Sequence, residues 1–478
     1  MPCPAPVCRS TRRLSTALVT VLLSLAPAQA QDASAGDDKP IIPANGIPEK
    51  SIATSLPAPF NDAWGTRKAW ADKGVAYSLN YIGEVFGVTS GGVKRGSRYG
   101  GRFELIVDAD LEKIAGWKGA SFHLNAFNIH GTGTSRYNVG NLMTVSYIEA
   151  LPTTRLSEAW FEQKLANDKL SIRAGQLVAD GEFTNTSFGA IFLNASTGWP
   201  VLMNTALPSG GPAFPFATPG IRAKYEVSPQ FAVLGAIFNG NPAGYGANDP
   251  QRNNRYGLDF RLKDSPFAIT EAQYKYNQEK GSGLAGSIKI GVWHHFGAFN
   301  DRRFGSDGLL LGNPLSNGDP LHHRGNSGIY GVLDQQLYRP ASGEPDKGIG
   351  AFLRVFTTPS DRNLINLYAD TGLVFSGMMD QRPDDTFGIA FGYAHKSKKA
   401  RAFDIDFNAL NGTNRPIGSS EAFVELTYNW KVVDGWSIQP NLQYIMRPNA
   451  HGLDPNDPTG SRAIRNATVL GVRTTLKY

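Results

Sequence analysis

From Val75 to its C-terminus the chain alternates apolar and polar residues with a period of two, in one short segment after another. "GRFELIVDADLEK" sets Phe103, Leu105, Val107, Ala109 and Leu111 on one face and Arg102, Glu104, Asp108 and Asp110 on the other. "IRAKYEV" alternates Ile221, Ala223 and Tyr225 with Arg222, Lys224 and Glu226. "RYGLDFRLK" sets Tyr256, Leu258, Phe260 and Leu262 against Arg255, Asp259 and Arg261. "WSIQPNLQYIM" and the closing "TVLGVRTTLKY" repeat the pattern, the latter placing Leu470, Val472, Leu476 and Tyr478 on one parity. Successive side chains of a strand point to opposite faces, so this period predicts half-polar β-strands. Clusters such as "NGNPAGYGANDPQRNN" and "RPASGEPDKG" supply the turns between them.

Two architectures accommodate so many half-polar strands. A soluble sandwich or propeller turns the apolar face inward. A membrane barrel turns it to lipid and lines a wet lumen with the polar face. The N-terminus favours the barrel. Arg9, Arg12 and Arg13, the apolar run from Ala17 to Leu25 and the sequence Ala28-Gln29-Ala30 have the layout of a secretory signal peptide over residues 1–30. Its removal lowers the formal charge from +6 to +3, since those three arginines leave with no acid, so nucleic-acid binding has little support. Cys3 and Cys8 leave as well, and the exported protein is held by no disulfide.

Three further features agree. Aromatic residues recur near the predicted strand ends, as interfacial girdles require: Tyr81, Trp160, Tyr225, Trp293, Tyr393, Trp430, Trp436 and Tyr444. Small residues on the apolar faces (Ala109, Ala223, Ala351) suit lipid better than a close-packed interior. The stretch after Val75 holds roughly 16 strands of about 10 residues with their loops. The expected fold is therefore all-β: a transmembrane antiparallel β-barrel of about 16 strands over residues 75–478. A periplasmic segment, residues 31–74, precedes it and carries one short helix in "FNDAWGTRKAWADKG", capped by Asn61 or Asp62 and ended by Gly74.

Long collinear stretches carry a family resemblance. They include "WADKGVAYSLNYIGEVFGVTSGGVKRGSRYGGRFELIVDADLEKIAGWKGASFHLNAFNIHG", "TTRLSEAWFEQKL", "KLSIRAGQLVADGEF" and "GWPVLMNTALPSGGPAFPFATPGIRAKY". Further on come "GNSGIYGVLDQQLYRP" and "VELTYNWKVVDGWSIQPNLQYIMRP". The chain resembles the carbohydrate-selective OprB-type porins of Gram-negative outer membranes. That resemblance implies a 16-stranded barrel in the outer membrane with a wet pore passing monosaccharides, such as glucose, by diffusion. It implies outer-membrane lipids, small sugars and the barrel assembly machinery as partners, with a homotrimer common among porins. It also explains the final aromatic: such barrels commonly end in Phe, which the assembly machinery reads, and Tyr478 stands in that place.

An uncharged sugar is selected by hydrogen-bonding side chains and flat aromatic surface at a narrowing. The expected lumen residues are Arg102, Glu104, Asp108, Asp110, Glu158, Trp160, Glu162 and Arg173, because a charge on the lipid face costs about 2–4 kcal/mol at mid-membrane. The stretch 297–327, "GAFNDRRFGSDGLLLGNPLSNGDPLHHRGNS", reads as a long loop that folds inward or stays on the surface, with Asp301, Arg302, Arg303 and Asp307 as constriction residues. The pairs His294-His295 and His322-His323 do not suggest a metal, since adjacent strand residues face opposite ways. No cofactor motif is present in the sequence, and glycines such as Gly100-Gly101 lack a phosphate-binding context. Two alternatives stand beside the sugar porin: a general or anion-leaning porin, and a glycan hydrolase using acids such as Glu158 and Glu162.

Overall fold

The computed structural model describes residues 55–246, 249–278, 283–340 and 347–478. The predicted signal peptide and most of the segment before residue 55 lie outside the described residues. Sixteen antiparallel strands close into one barrel, each bonded to its sequence neighbours and the last to the first. They are β1 (Val75–Gly92), β2 (Gly96–Asp110), β3 (Ala120–Gly131), β4 (Thr153–Leu165), β5 (Leu170–Leu177), β6 (Thr218–Glu226), β7 (Phe231–Asn239) and β8 (Pro266–Tyr276). The second half comprises β9 (Gly286–Gly305), β10 (Pro320–Tyr338), β11 (Gly348–Thr357), β12 (Ile365–Ser376), β13 (Thr386–Lys396), β14 (Ser420–Val433), β15 (Trp436–Met446) and β16 (Arg465–Lys477). Closure pairs every strand on both edges, which a chain in lipid requires because no water is there to satisfy the backbone.

Register shows which parity faces where. Val85 lies opposite Val472 on the closing seam, and Phe103 opposite Tyr81 on the next pair. Phe103, Leu105, Ile221, Tyr225, Leu470 and Val472 are exposed on the outer face. Glu84, Glu162, Arg222, Gln439, Gln443 and Arg473, on the opposite parities, are buried inside. Trp160 and Trp293 depart from the girdle expectation: both are buried on the inward face, Trp293 beside Phe267 at 6.2 Å between ring centroids.

Connections alternate between short turns at one end, such as 166–169 and 434–435, and long ones at the other. The long ones span 132–152, 178–217, 240–265, 397–419 and 447–464. "RYGLDFRLK" falls in the third of these and is not a strand. Its backbone bonds to side chains and to an irregularity in the wall instead of a ladder: the Tyr256 carbonyl accepts from Leu156 N (3.0 Å) and the Gly257 carbonyl from Gln176 Nε2 (2.9 Å).

At the short-turn end, helix α1 (Thr66–Asp72) precedes β1. Gly65 is its N-cap, yet the Asp62 carboxylate accepts from Arg67 N (2.8 Å) and Lys68 N (3.1 Å), supplying the acceptors a cap provides. Buried Arg67 lies over the Tyr478 ring at 5.6 Å, and Leu56 N donates to the Lys477 carbonyl (2.9 Å). The end of the last strand is thereby tied to the chain that leads into the first.

Candidate functional site

Two of the long connections fold into the lumen, and the inner wall is built to receive them. Residues 178–217 carry helix α2 (Val201–Ala206) and several short turns. Phe183, Phe192, Leu193, Val201, Leu202 and Met203 from this insert are buried with Phe238, Phe267, Ile269, Tyr330, Val332, Phe352 and Phe356 of the wall. The inner faces of β7–β11 are therefore apolar where the insert covers them, unlike the wet lining the alternation predicts.

Backbone groups of a buried insert need partners, because an unpaired amide or carbonyl costs about 1–3 kcal/mol. Wall side chains supply them. Glu271 accepts from Thr184 N (2.9 Å) and from the Tyr330 hydroxyl (2.8 Å). Asp334 accepts from the Thr186 hydroxyl, Ser187 N (3.2 Å) and Phe188 N (3.3 Å). Glu425 accepts from Leu193 N (2.7 Å), Asn194 N (3.0 Å) and Asn441 Nδ2 (2.6 Å). Glu421 holds the other insert, 132–152, through Leu142 N (2.9 Å) and Met143 N (2.6 Å). Arg354 works in the opposite sense, donating to the carbonyls of Thr184 (3.0 Å), Ser196 (2.7 Å) and Gly198 (2.9 Å) while paired with Asp370 through two bonds.

The facing wall, β2–β6, is polar, and it gathers most of the residues expected from sequence. Arg102 donates to Glu104 (3.1 Å), which also accepts from Asn125 Nδ2 (2.9 Å). Asp108 bonds His123 (2.7 Å), whose ring stacks on Trp160 at 4.6 Å. Arg173 covers Trp160 at 4.1 Å, and Glu158 accepts from the indole Nε1 (3.2 Å). Glu162 and Glu182 share the two cations Arg173 and Arg222, at 3.2 and 3.5 Å for the first acid and 2.7 and 2.5 Å for the second. The result is a ladder of alternating charge with an aromatic plate inside it.

Asp110 stands apart from that set. It is buried at the end of β2, where its carboxylate caps the turn Leu111–Ala115 by accepting from Glu112 N (3.0 Å) and Lys113 N (3.1 Å). The stretch 297–327 also departs from expectation. It is not one long loop: β9 runs to Gly305, β10 starts at Pro320, and only residues 306–319 connect them. Asp301 bonds His323 (2.7 Å) and Arg303 pairs with Asp406 (2.6 Å) of helix α3 (Lys398–Asn411), while Arg302 donates to the Arg362 carbonyl (3.2 Å). Asp307 accepts from Leu309 N (3.0 Å) and Asn317 N (2.7 Å) within its own turn. These charges hold the hairpin to its neighbours at the long-loop rim, and the chains that enter the lumen are 132–152 and 178–217.

A cavity of about 320 Å³ lies between the inserts and the polar wall, lined by Arg102, Tyr147, Glu149, Asp180, Trp199, Asn204 and Phe214 among others. The Arg102 guanidinium sits 5.6 Å from the Phe127 ring and 5.5 Å from the Phe214 ring. Burial raises the Glu149 carboxyl to about 7, against the opposing bonds from Arg136 N (2.9 Å) and Ser135 N (3.0 Å). Burial likewise raises Asp180 to about 7, although it accepts from Phe214 N (2.8 Å). A second cavity, about 550 Å³, lies on another side of the insert against Gln336, Arg339, Lys347 and Val374. Sequence reasoning singled out neither Glu149 nor Asp180, nor the anchors Glu271, Asp334, Arg354, Glu421 and Glu425. The available signal was the Gly- and Pro-rich stretch "GWPVLMNTALPSGGPAFPFATPG", too irregular for a strand and too apolar for a solvated loop.

A closed sixteen-strand barrel with an apolar outer face, a charged inner wall and a connection folded into its lumen is the architecture of an outer-membrane porin. Residues 94–478 match the family described as carbohydrate-selective porin, OprB family, and the chain belongs to that family. Porin B of Pseudomonas aeruginosa is 26% identical over 432 residues, covering 87% of this chain and 90% of that protein. The high-pH structure of Pseudomonas putida OprB superposes with a TM-score of 0.76 at 24% identity, covering 87% of this chain and 97% of that one. The low-pH structure of the same protein gives 0.54 at 20% identity, over 89% and 99%. Those structural likenesses are ones of fold.

Proposed function

We propose that the barrel passes monosaccharides such as glucose across the outer membrane by passive diffusion, with the 320 Å³ cavity as the place where the solute is sorted. The observation that carries this reading is the composition of that cavity. Arg102, Glu149, Asp180 and Asn204 offer donors and acceptors that replace a sugar's hydration, and Trp199, Phe214 and Tyr147 offer flat apolar surface for its C–H face. Below it, the ladder Asp108, Glu158, Trp160, Glu162 and Arg173 sets a field across the path that orders water and tunes ion passage. A hydrolase reading is disfavoured by the same contacts. Glu158 accepts from the Trp160 indole and Glu162 bonds both Ser171 and Arg173, so both acids are engaged.

Signal-peptide cleavage after Ala30, recognition of Tyr478 by the assembly machinery and trimer formation belong to this same reading, supported by the family resemblance. The test is planar-bilayer conductance of the purified barrel. Glucose at tens of millimolar is expected to reduce the ion current reversibly. Large conductance with no sugar block overturns sugar sorting in favour of a general porin. Release of product from oligosaccharides by the purified protein overturns the channel-only reading.

A further inference from the structure

Above β10–β13, at the long-loop rim, Asp301, Asp361, Asp404 and Asp406 already have partners while several cations do not. Asp361 pairs with Arg362, Asp404 with Lys396 and Asp406 with Arg303. Arg324, Lys398 and Arg401 are exposed and make no ion pair among the described residues. Arg324 lies opposite Ala298 in the ladder, on the outward parity of Phe296, which is 57% exposed. Lys398 and Arg401 open helix α3 and lie within charge reach of His395, on the outward parity of β13. One connection links the two groups: Arg362 donates to the Arg324 carbonyl (3.2 Å), and the nearby Ser360 hydroxyl accepts from Lys399 N (3.3 Å).

Directly below, the outward faces of the same strands are apolar, with Ile329, Val355 and Phe391 exposed. We propose that Arg324, Lys398 and Arg401 form a rim site for the phosphates of an anionic glycolipid in the outer leaflet, whose acyl chains lie down the outer faces of β10–β13. Guanidinium groups bind phosphate through paired, charge-assisted bonds, and uncompensated cations where an apolar band ends attract anionic headgroups. A soluble anion would use the cations alone. A phosphorylated lipid uses the cations and the apolar face together, and that adjacency selects it. The proposal rests on the outer-membrane location and is independent of which solute the lumen passes.

The test uses the full-length protein in neutral detergent, with bisphosphorylated lipid A, dephosphorylated lipid A and inorganic phosphate as probes. After gel filtration, the wild type is expected to retain bisphosphorylated lipid A and not the dephosphorylated form. The R324Q/K398Q/R401Q variant is expected to retain at least about tenfold less, whereas K118Q/K169Q, altered at the short-turn end, retains as much as the wild type. Equal retention by the triple variant overturns the site. So does equal retention of dephosphorylated lipid by the wild type, an arm that depends on no variant folding. Displacement of the lipid by an equal concentration of inorganic phosphate assigns the cations to a soluble anion and also overturns it.

Discussion

The two halves of the inner wall use the same residue types for different ends. On β2–β6, inward charges pair mainly sideways with one another, and some stay partly exposed: the side chains of Asp108 and Arg173 keep 25% and 26% of their surface, whereas Glu162 and Arg222 are buried. On β8–β14, inward charges point at a chain crossing the lumen, and the Arg354–Asp370 pair retains none. The first set meets side chains of opposite charge, Glu182 of the insert among them, and the second meets the insert's backbone. A carboxylate facing water tunes a field, whereas one facing orphaned amides fixes a loop.

This contrast can be broken in several ways. The largest effect is expected from Arg354→Ala. It leaves Asp370 buried without its counter-charge and strands the carbonyls of Thr184, Ser196 and Gly198, a loss of about 3–5 kcal/mol. Single-channel conductance should rise as the insert loosens, and the folded barrel should unfold at lower temperature. Unchanged conductance and unfolding would refute the clamp. Glu425→Ala should act in the same direction more weakly, at about 1–3 kcal/mol, because it orphans Leu193 N and Asn194 N. Its readout is added current noise, with Glu425→Gln intermediate.

Arg173→Ala tests the opposite wall. Arg222 remains to neutralise Glu162 and Glu182, so stability should change by about 1 kcal/mol or less. The reversal potential in a salt gradient should nevertheless move toward cation preference. A large loss of stability instead would mean that the two walls do not differ.

The smallest expected effect is on pH. Glu149 and Asp180 sit in the folded protein at about 7, above their ordinary 4.5 and 3.8. The folded barrel therefore takes up these protons before the unfolded chain does. Their contribution to stability is fully present below the ordinary values and is lost as pH rises through about 7. Over that same rise the cavity gains negative charge, so cation preference should increase between roughly pH 6 and 8. An E149Q/D180N variant should show a flat profile, and an equally steep one would remove both acids from the path.

How much was legible follows from what each segment touches. "GRFELIVDAD", "IRAKYE" and the closing strand carry apolar residues on the outer face and charged ones such as Glu104, Arg222 and Arg473 on the inner face, and their alternation states as much. In "FAVLGAIF", Val233 and Ile237 face outward while Leu234, Ala236 and Phe238 are buried within. Lipid and insert are both apolar there, so the period disappears although the strand does not. The far ends of β9 and β10 lose it for another reason: they run to Gly305 and from Pro320 at the rim, where "NDRRFG" and "PLHHRG" meet neither lipid nor insert on a regular period. Asp110 kept the inward parity but stands at a strand end, where backbone amides claim its carboxylate.

Local alternation was sufficient to establish half-polar strands and the facing of most of them, since period two is a property of each strand alone, and the signal-peptide layout and chain length added the barrel and its size class. The choice of 132–152 and 178–217 as the chains that enter the lumen, and of Glu271, Asp334, Arg354, Glu421 and Glu425 as their anchors, came only with the closed structure. Those contacts join residues far apart in the chain. An inward glutamate carries no local mark of whether water or another strand's loop will stand across from it.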